Sequence, residues 1–470
     1  MAGRIVVSWQ TPRRVLRALH YGKLRYGREA PAGAPEEAVG AGAGHSEGMV
    51  GALGIVSLLL MILPLAGCSQ GEPREIEARL SVAEALGDAG GQGYARAVEV
   101  RELAFPADHG PHPDFRTEWW YFTGNLAGAD GRRFGYQLTF FRSAVVPPGA
   151  KPRQIDEVEG RASRWATRQV YMAHFAVTDV EGARFVAAER FSRGALGLAG
   201  ARAEPFRVWV ESWTAEAAAP DRTPPTALPP FADPFASSRE DGLFPLRLTA
   251  ETDSASLDLL LTAGKGRVLQ GDRGLSRKGP QAGNASYYYS YPRMPTTGTL
   301  ALGGETFRLE GASWLDREWS TSVLGPDQAG WDWFALQLDD GREVVAYRLR
   351  AAGEEGGGPL AYAALVPERP DEAAPGRLRV LDLDGARLEV TDRWTSPASG
   401  AVYPAGWRLR LPAANLVLDV EPLLADQELD LAVRYWEGAV AVRGAAGGRP
   451  VAGRGYAELT GYGEAAGRVR

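Results

Sequence analysis

The stretch Trp119-Trp120-Tyr121-Phe122-Thr123-Gly124-Asn125-Leu126, followed by Gly128-Ala129-Asp130-Gly131 and then residues 133–142, decides the fold. In the last segment Phe134, Tyr136, Leu138 and Phe140 recur at every second position, the period of a strand with one buried face. An aromatic run, a glycine-bearing turn and an alternating return strand together predict a β-hairpin. Working outward, the same signals predict strands over 171–178, 206–213, 246–250, 257–262, 287–291, 299–302 and 307–314.

The hairpin is written twice. Trp120-Tyr121-Phe122, Leu126, Asp130-Gly131-Arg132 and Tyr136-Gln137-Leu138 are echoed by Asp332-Trp333-Phe334, Leu338, Asp340-Gly341-Arg342 and Tyr347-Arg348-Leu349. Such self-similarity points to duplication. Strands over 377–383, 387–390, 408–411, 416–420, 439–443 and 455–460 would complete the second copy. The expected fold class is all-β, two antiparallel barrels or sandwiches that curl to hide their edges.

Composition agrees. Among 470 residues, 13 Trp, 16 Tyr and 15 Phe stand with 58 Gly and 32 Pro, a balance of strands and turns. A hydrophobic fraction of 45% and a charged fraction of 23% are those of a globular chain. The net charge of −6 leaves no basic field to hold nucleic acid. A single cysteine rules out an internal disulfide framework and cysteine-ligated metal clusters.

Residues 49–67 are uncharged and apolar, and end in Leu65-Ala66-Gly67 before Cys68, the only cysteine. This predicts a lipoprotein signal peptide with a diacylglycerol carried on Cys68. A transmembrane anchor with an incidental cysteine is the alternative. The expected organisation is a leader over 1–67, a tether over 68–102 with a short helical pattern at 75–86, one barrel over 103–322 and a second over 323–470. The Pro-rich segment 220–234 reads as a long loop. The body is expected at the cell envelope, facing the periplasm or on the outer membrane, held there by lipidated Cys68.

Ionisable groups crowd among aromatics in four places: 105–122, around His174, in 287–294, and in Trp314-Leu315-Asp316-Arg317-Glu318-Trp319 with Trp331 and Trp333 close behind. On a strand Trp314, Asp316 and Glu318 share one face, and Leu315, Arg317 and Trp319 the other. A carboxyl walled by aromatic rings loses hydration, its pKa rises, and it can serve as a general acid, while the rings stabilise a passing cation. That combination suits protonation of an isoprenoid double bond with water capturing the carbocation. The structural alternative is an Arg317–Glu318 or Arg116–Glu118 ion pair on a barrel rim. His109 and His112 have no HExxH companion, so no metal is expected. His174 reads as a core or pocket-lining histidine, and the tyrosine run as packing and pocket wall. The absence of a Gly-x-Ser-x-Gly elbow, a P-loop and a dinucleotide fingerprint disfavours serine-hydrolase, nucleotide-driven and NAD chemistry, and no cofactor is expected.

Residues 112–126, Met172-Ala173-His174-Phe175, Tyr288-Tyr289-Ser290, Trp314–Trp319, Gly330-Trp331-Asp332-Trp333-Phe334 and 453–462 together resemble the motifs of the AttH-like, carotenoid 1,2-hydratase-related family. The resemblance covers about Phe105 to Tyr462. It implies two tandem lipocalin-like (calycin) barrels and kinship with enzymes that add water to carotenoid or prenyl double bonds without a cofactor. It also implies that His174, Trp314, Asp316 and the 287–291 strand, Tyr288 included, are site positions. Its lipoprotein members look like companions of membrane transport permeases. The resulting expectation is a lipid-anchored protein that binds an apolar isoprenoid or acyl ligand. Asp316 is the proton donor, Trp314, Trp319 and Tyr288 are cation-stabilising walls, and His174 orients water. Glu118, Trp119, Trp120, Tyr289, Tyr291, Glu318, Trp331 and Trp333 complete the ligand-binding set. The alternative is a non-catalytic lipid carrier or transporter accessory.

Overall fold

The computed structural model describes residues 91–150, 167–218, 242–325, 327–351, 354, 357–368, 381–382 and 385–463. The leader with Cys68, the 75–86 helical pattern, the 220–234 loop and most of the 377–383 strand lie outside the described residues.

The first half of the body builds one antiparallel sheet. Its first hairpin is β1 (Thr117–Gly128) and β2 (Arg133–Ala144), continued by β3 (Gln169–Asp179) and β4 (Arg184–Arg193). Short strands β5 (Ala199–Ala203), β6 (Phe206–Val210), β7 (Trp213–Ala217), β8 (Leu246–Glu251) and β9 (Ala255–Leu261) follow. After β10 (Val268–Leu269) and β11 (Leu275–Arg277), two long strands, β12 (Ala285–Leu302) and β13 (Glu305–Ser320), close the set. The strand order is β4-β3-β2-β1-β13-β12-β9-β8-β7-β6-β5, with β10 and β11 also on β12. β1 therefore pairs both with its hairpin partner and with β13, almost 200 residues away, which curls the sheet into a nearly closed barrel.

The second sheet runs from β14 (Gln328–Leu338) and β15 (Glu343–Ala351) through β16 (Gly358–Pro359), β17 (Tyr362–Val366) and β18 (Leu381–Asp382). It continues with β19 (Arg387–Thr395), β20 (Val402–Leu411), β21 (Leu416–Pro422) and β22 (Glu428–Asp430). The last two strands are β23 (Arg434–Ala446) and β24 (Arg449–Thr460). β24 returns to pair with β14, as β13 does with β1.

The echo read in the sequence is a structural one. Gly131 and Gly341 turn the two hairpins at φ +85° and +81°, conformations that favour glycine. In both turns the aspartate one residue before the glycine accepts from the arginine amide after it, Arg132 N–H to Asp130 and Arg342 N–H to Asp340. Two strand expectations are corrected. Residues 206–213 do not form one strand: the chain reverses at Glu211, at φ +56°, between β6 and β7. Residues 287–302 form one strand rather than two, because a register shift between Tyr291 and Met294 absorbs Pro292 in a central position.

Each barrel has its own apolar core, filled by alternate residues of its strands. Trp120, Phe122 and Leu126 of β1, with Leu315 and Trp319 of β13, point into the first; Phe334, Leu336, Leu459 and Trp436 point into the second. The opposite faces of β1, β13, β14, β23 and β24 are also buried, because the barrels pack against each other there. A third cluster in this seam contains Tyr121, Trp314, Trp333, Tyr347, Ala439 and Tyr456. Gly135 permits the approach: a Cβ there would sit 2.7 Å from both the Ala439 Cβ and the Tyr456 hydroxyl. Lys265 and Arg293 of the first half also clasp Glu343 of the second, at 2.6 and 2.5 Å.

Candidate active site in the seam between the barrels

The alternation of β13 aims Trp314, Asp316 and Glu318 at the seam. Asp316 lies opposite Tyr121 on β1 and Ser290 on β12. Its carboxyl is 3% exposed. Tyr288 Oη donates to Oδ2 at 2.5 Å, while Ser290 Oγ and Trp314 Nε1 donate to Oδ1 at 2.5 and 2.6 Å. These donors are themselves held: Gln270 Nε2 donates to Ser290 Oγ at 2.9 Å, and Tyr362 of the second barrel donates to Gln270 at 3.0 Å. Trp333 stands edge-on to both Tyr121 and Trp314, at 5.1 and 6.5 Å between centroids.

Burial pushes the Asp316 carboxyl up to about 7; the Ser290, Tyr288 and Trp314 donors pull it partly back, and the Glu318 carboxylate pushes further upward. Among the described residues no cation forms an ion pair with it. Glu318, on the same face, accepts from Ser286 and pairs with Lys278 at 3.0 Å. The Lys278 ammonium sits 4.3 Å from the Tyr347 ring centre.

The second barrel supplies groups that the sequence analysis did not single out. Glu458 on β24 lies opposite Trp333 on one side and Glu437 of β23 on the other. Burial raises Glu458 to about 8, against a lowering hydrogen bond from Trp331, and the Asp316 and Glu318 carboxylates raise it further. Glu458, Trp331 and Trp119 are half-buried and mark the part of the seam that solvent reaches. His174, from β3, is 1% exposed; its Nδ1 is 2.7 Å from the Tyr435 hydroxyl, which also accepts from Gln137 at 3.0 Å. Burial lowers His174 to about 3, so it is neutral.

The structure thus brings Asp316, Trp314, Tyr288, Glu318, Trp119, Trp331 and Trp333 to the seam, with His174 tied into it through Tyr435. It does not bring Trp120, Tyr289, Tyr291 or Trp319 there: these alternate onto the other face and fill the first barrel's core. Trp319, expected as a wall beside Asp316, instead stacks on His112 at 3.8 Å. Glu118 also points inward, where it accepts from Arg142, Arg317 and His112. Arg317 pairs with Glu118 rather than with Glu318, because consecutive strand residues face opposite ways; Arg142 also pairs with Glu118, and Lys278 with Glu318. His109 bonds Tyr289 at 2.7 Å, and among the described residues no three His, Cys, Asp or Glu side chains are grouped to hold a metal.

Two lipocalin-like antiparallel barrels, joined along a seam that buries a cation-free carboxyl among tyrosine and tryptophan, define the class. The chain belongs to the AttH-like family, whose model matches residues 96–462. It is 32% identical to a crystallised Nitrosomonas europaea protein described as an AttH, covering 78% of this chain and 99% of that one with a TM-score of 0.60. Kievitone hydratase from Nectria haematococca shares the fold at 15% identity, with 78% and 96% of the two chains covered and a TM-score of 0.54. No curated protein matches the chain.

Proposed function

We propose that the protein is a cofactor-free hydratase that adds water across a carbon–carbon double bond of an apolar, isoprenoid-like substrate. The observation that carries this reading is the Asp316 carboxyl, buried with three donors and, among the described residues, no cation paired to it, and therefore able to hold a proton near neutral pH. In the forward step the Asp316 proton passes to one alkene carbon and leaves a carbocation on the other. The faces of Trp314, Trp333, Tyr121 and Tyr288 stabilise that charge, and water then captures it. A fold shared with kievitone hydratase, named for hydratase activity, supports the same reading. Lys278, paired with Glu318, leaves Asp316 uncompensated.

We further propose, from the sequence around Cys68, that the protein is lipid-anchored at the cell envelope, where apolar substrates partition. A transport permease is the proposed neighbour. Incubating the protein with a panel of isoprenoid alkenes in ¹⁸O-labelled water tests the activity. The expected product is a labelled tertiary alcohol, reduced on the order of 10²–10⁴-fold by Asp316→Asn. Ligand bound but never hydrated, with Asp316→Asn indistinguishable from wild type, would leave the carrier reading instead.

A further inference from the structure

Capture of a carbocation by water leaves a proton on the new oxygen, and that proton needs an acceptor. Asp316 faces the seam from the first barrel; facing it from the second are two adjacent glutamates that the hydration step above does not use. In β23 and β24, Trp436, Val440, Ala457 and Leu459 point into the second core, so Glu437 and Glu458 point into the seam. The two are direct cross-strand partners. Like charges so placed repel, and burial adds to the cost of ionising both. Ionising both is therefore disfavoured, and the pair serves as a base in its singly ionised form, with one proton held between the two carboxyls.

Glu437 is 1% exposed, and among the described residues only the Tyr121 and Tyr435 hydroxyls approach its carboxyl as donors, neither at full hydrogen-bond geometry. Tyr121 and Tyr435 lower its pKa without completing a bond of normal geometry. The Tyr121 hydroxyl is buried beside Glu437, and His174 Nε2 lies 3.9 Å from the Glu189 carboxylate. Fixed acceptors left open in a packed interior are costly, and their expected complement is a small hydrogen-bond donor. Tyr121 is the cross-strand partner of Asp316, and Glu437, Glu458 and Asp316 all raise the pKa of its hydroxyl.

We propose that the Glu437–Glu458 pair is the base of the reaction: it faces the attacking water across the seam from Asp316 and accepts the proton that water loses. This inference rests on Asp316 being the acid. The balance is complete. Asp316 gives H⁺ to one alkene carbon and becomes carboxylate; the water oxygen bonds to the other carbon; one water proton goes to the shared carboxylate. Tyr121 then relays a proton, giving its own to Asp316 and taking up the one the pair accepted, so that alkene plus water has become alcohol and the protein is unchanged. With acid and base on opposite walls, H and OH add to opposite faces of the alkene.

The test uses the full chain in D₂O with the same alkene panel. Wild type yields the deuterated alcohol by anti addition. The double variant Glu437→Gln/Glu458→Gln is expected to lose alcohol formation on the order of 10²–10⁴-fold while still exchanging deuterium into recovered alkene, because Asp316 still protonates it reversibly. Asp316→Asn is expected to lose both. Infrared spectra of the ligand-free protein check the pair without any substrate: a protonated-carboxyl band present at neutral pH should weaken in Glu437→Gln. Unchanged alcohol formation in the double variant, syn addition, or a band that Glu437→Gln leaves undiminished overturns the base assignment alone. Deuterium exchange surviving in Asp316→Asn, or wild type inert toward the whole panel, overturns the acid assignment and this one with it.

Discussion

Two buried carboxyls on adjacent strands of one barrel behave in opposite ways. Glu118 on β1 points inward and is fully buried between two equally buried guanidiniums, Arg142 and Arg317, with His112 as a further donor. Despite complete burial, the arginines hold it well below the usual carboxylate range. Asp316 on β13 points outward into the seam, with hydroxyl and indole donors but no cation, and rises to about 7. Burial alone does not mark a catalytic acid; burial without a counter-charge does. Glu118 ties the 105–118 segment to the barrel, and Asp316 is left with a proton to give.

The largest expected effect breaks the first half of this contrast. Glu118→Ala strands Arg142 and Arg317 in the interior and should cost about 3–5 kcal/mol in chemical denaturation. Asp316→Asn leaves no charge behind, so it should cost little stability while removing activity.

The next effect is the pH dependence. Hydration requires protonated Asp316, so the rate should fall as pH rises through about 7. Stability follows the same group. Its folded pKa lies above the unfolded value of 3.8, so the native state holds a proton that the unfolded chain has released. That contribution is complete below about pH 4 and is lost as pH rises to about 7, a loss of up to about 4 kcal/mol. Thermal melts of Asp316→Asn should therefore gain on wild type progressively across that window and run parallel above it. Glu118 has the opposite sign: its contribution is present above its unfolded pKa and disappears only as acid titrates the folded group.

The smallest effect sharpens the comparison. Trp314→Phe keeps the ring but removes one donor that stabilises the carboxylate. The alkaline limb of the rate profile should move upward by about one pH unit, with the fold unchanged.

Much of this was legible in the sequence. The doubled hairpin follows from Asp130-Gly131 and Asp340-Gly341, because local turn chemistry needs no distant partner. Period two along 314–319 separates Trp314, Asp316 and Glu318 from Leu315, Arg317 and Trp319. The same rule applied to Trp119-Trp120 and 287–291 shows why Trp120, Tyr289, Tyr291 and Trp319 belong to the core, although crowding of aromatics alone suggests otherwise. Glu437 and Glu458 were harder to see. Each is an outward residue of its own barrel, and an outward glutamate ordinarily meets water; docking of the other barrel buries Glu437 and half-buries Glu458. His174 is similar, since its partner Tyr435 lies 261 residues away. Local pattern reveals which face a residue takes, but not what covers that face.

The most direct test is the titration of Asp316 itself, followed by carbon-13 NMR of its carboxyl with Asp316→Asn to assign the signal. A midpoint near 7 is the expected result. A midpoint at or below 4 would make Asp316 an ordinary carboxylate with no proton to donate at neutral pH, and would contradict the account.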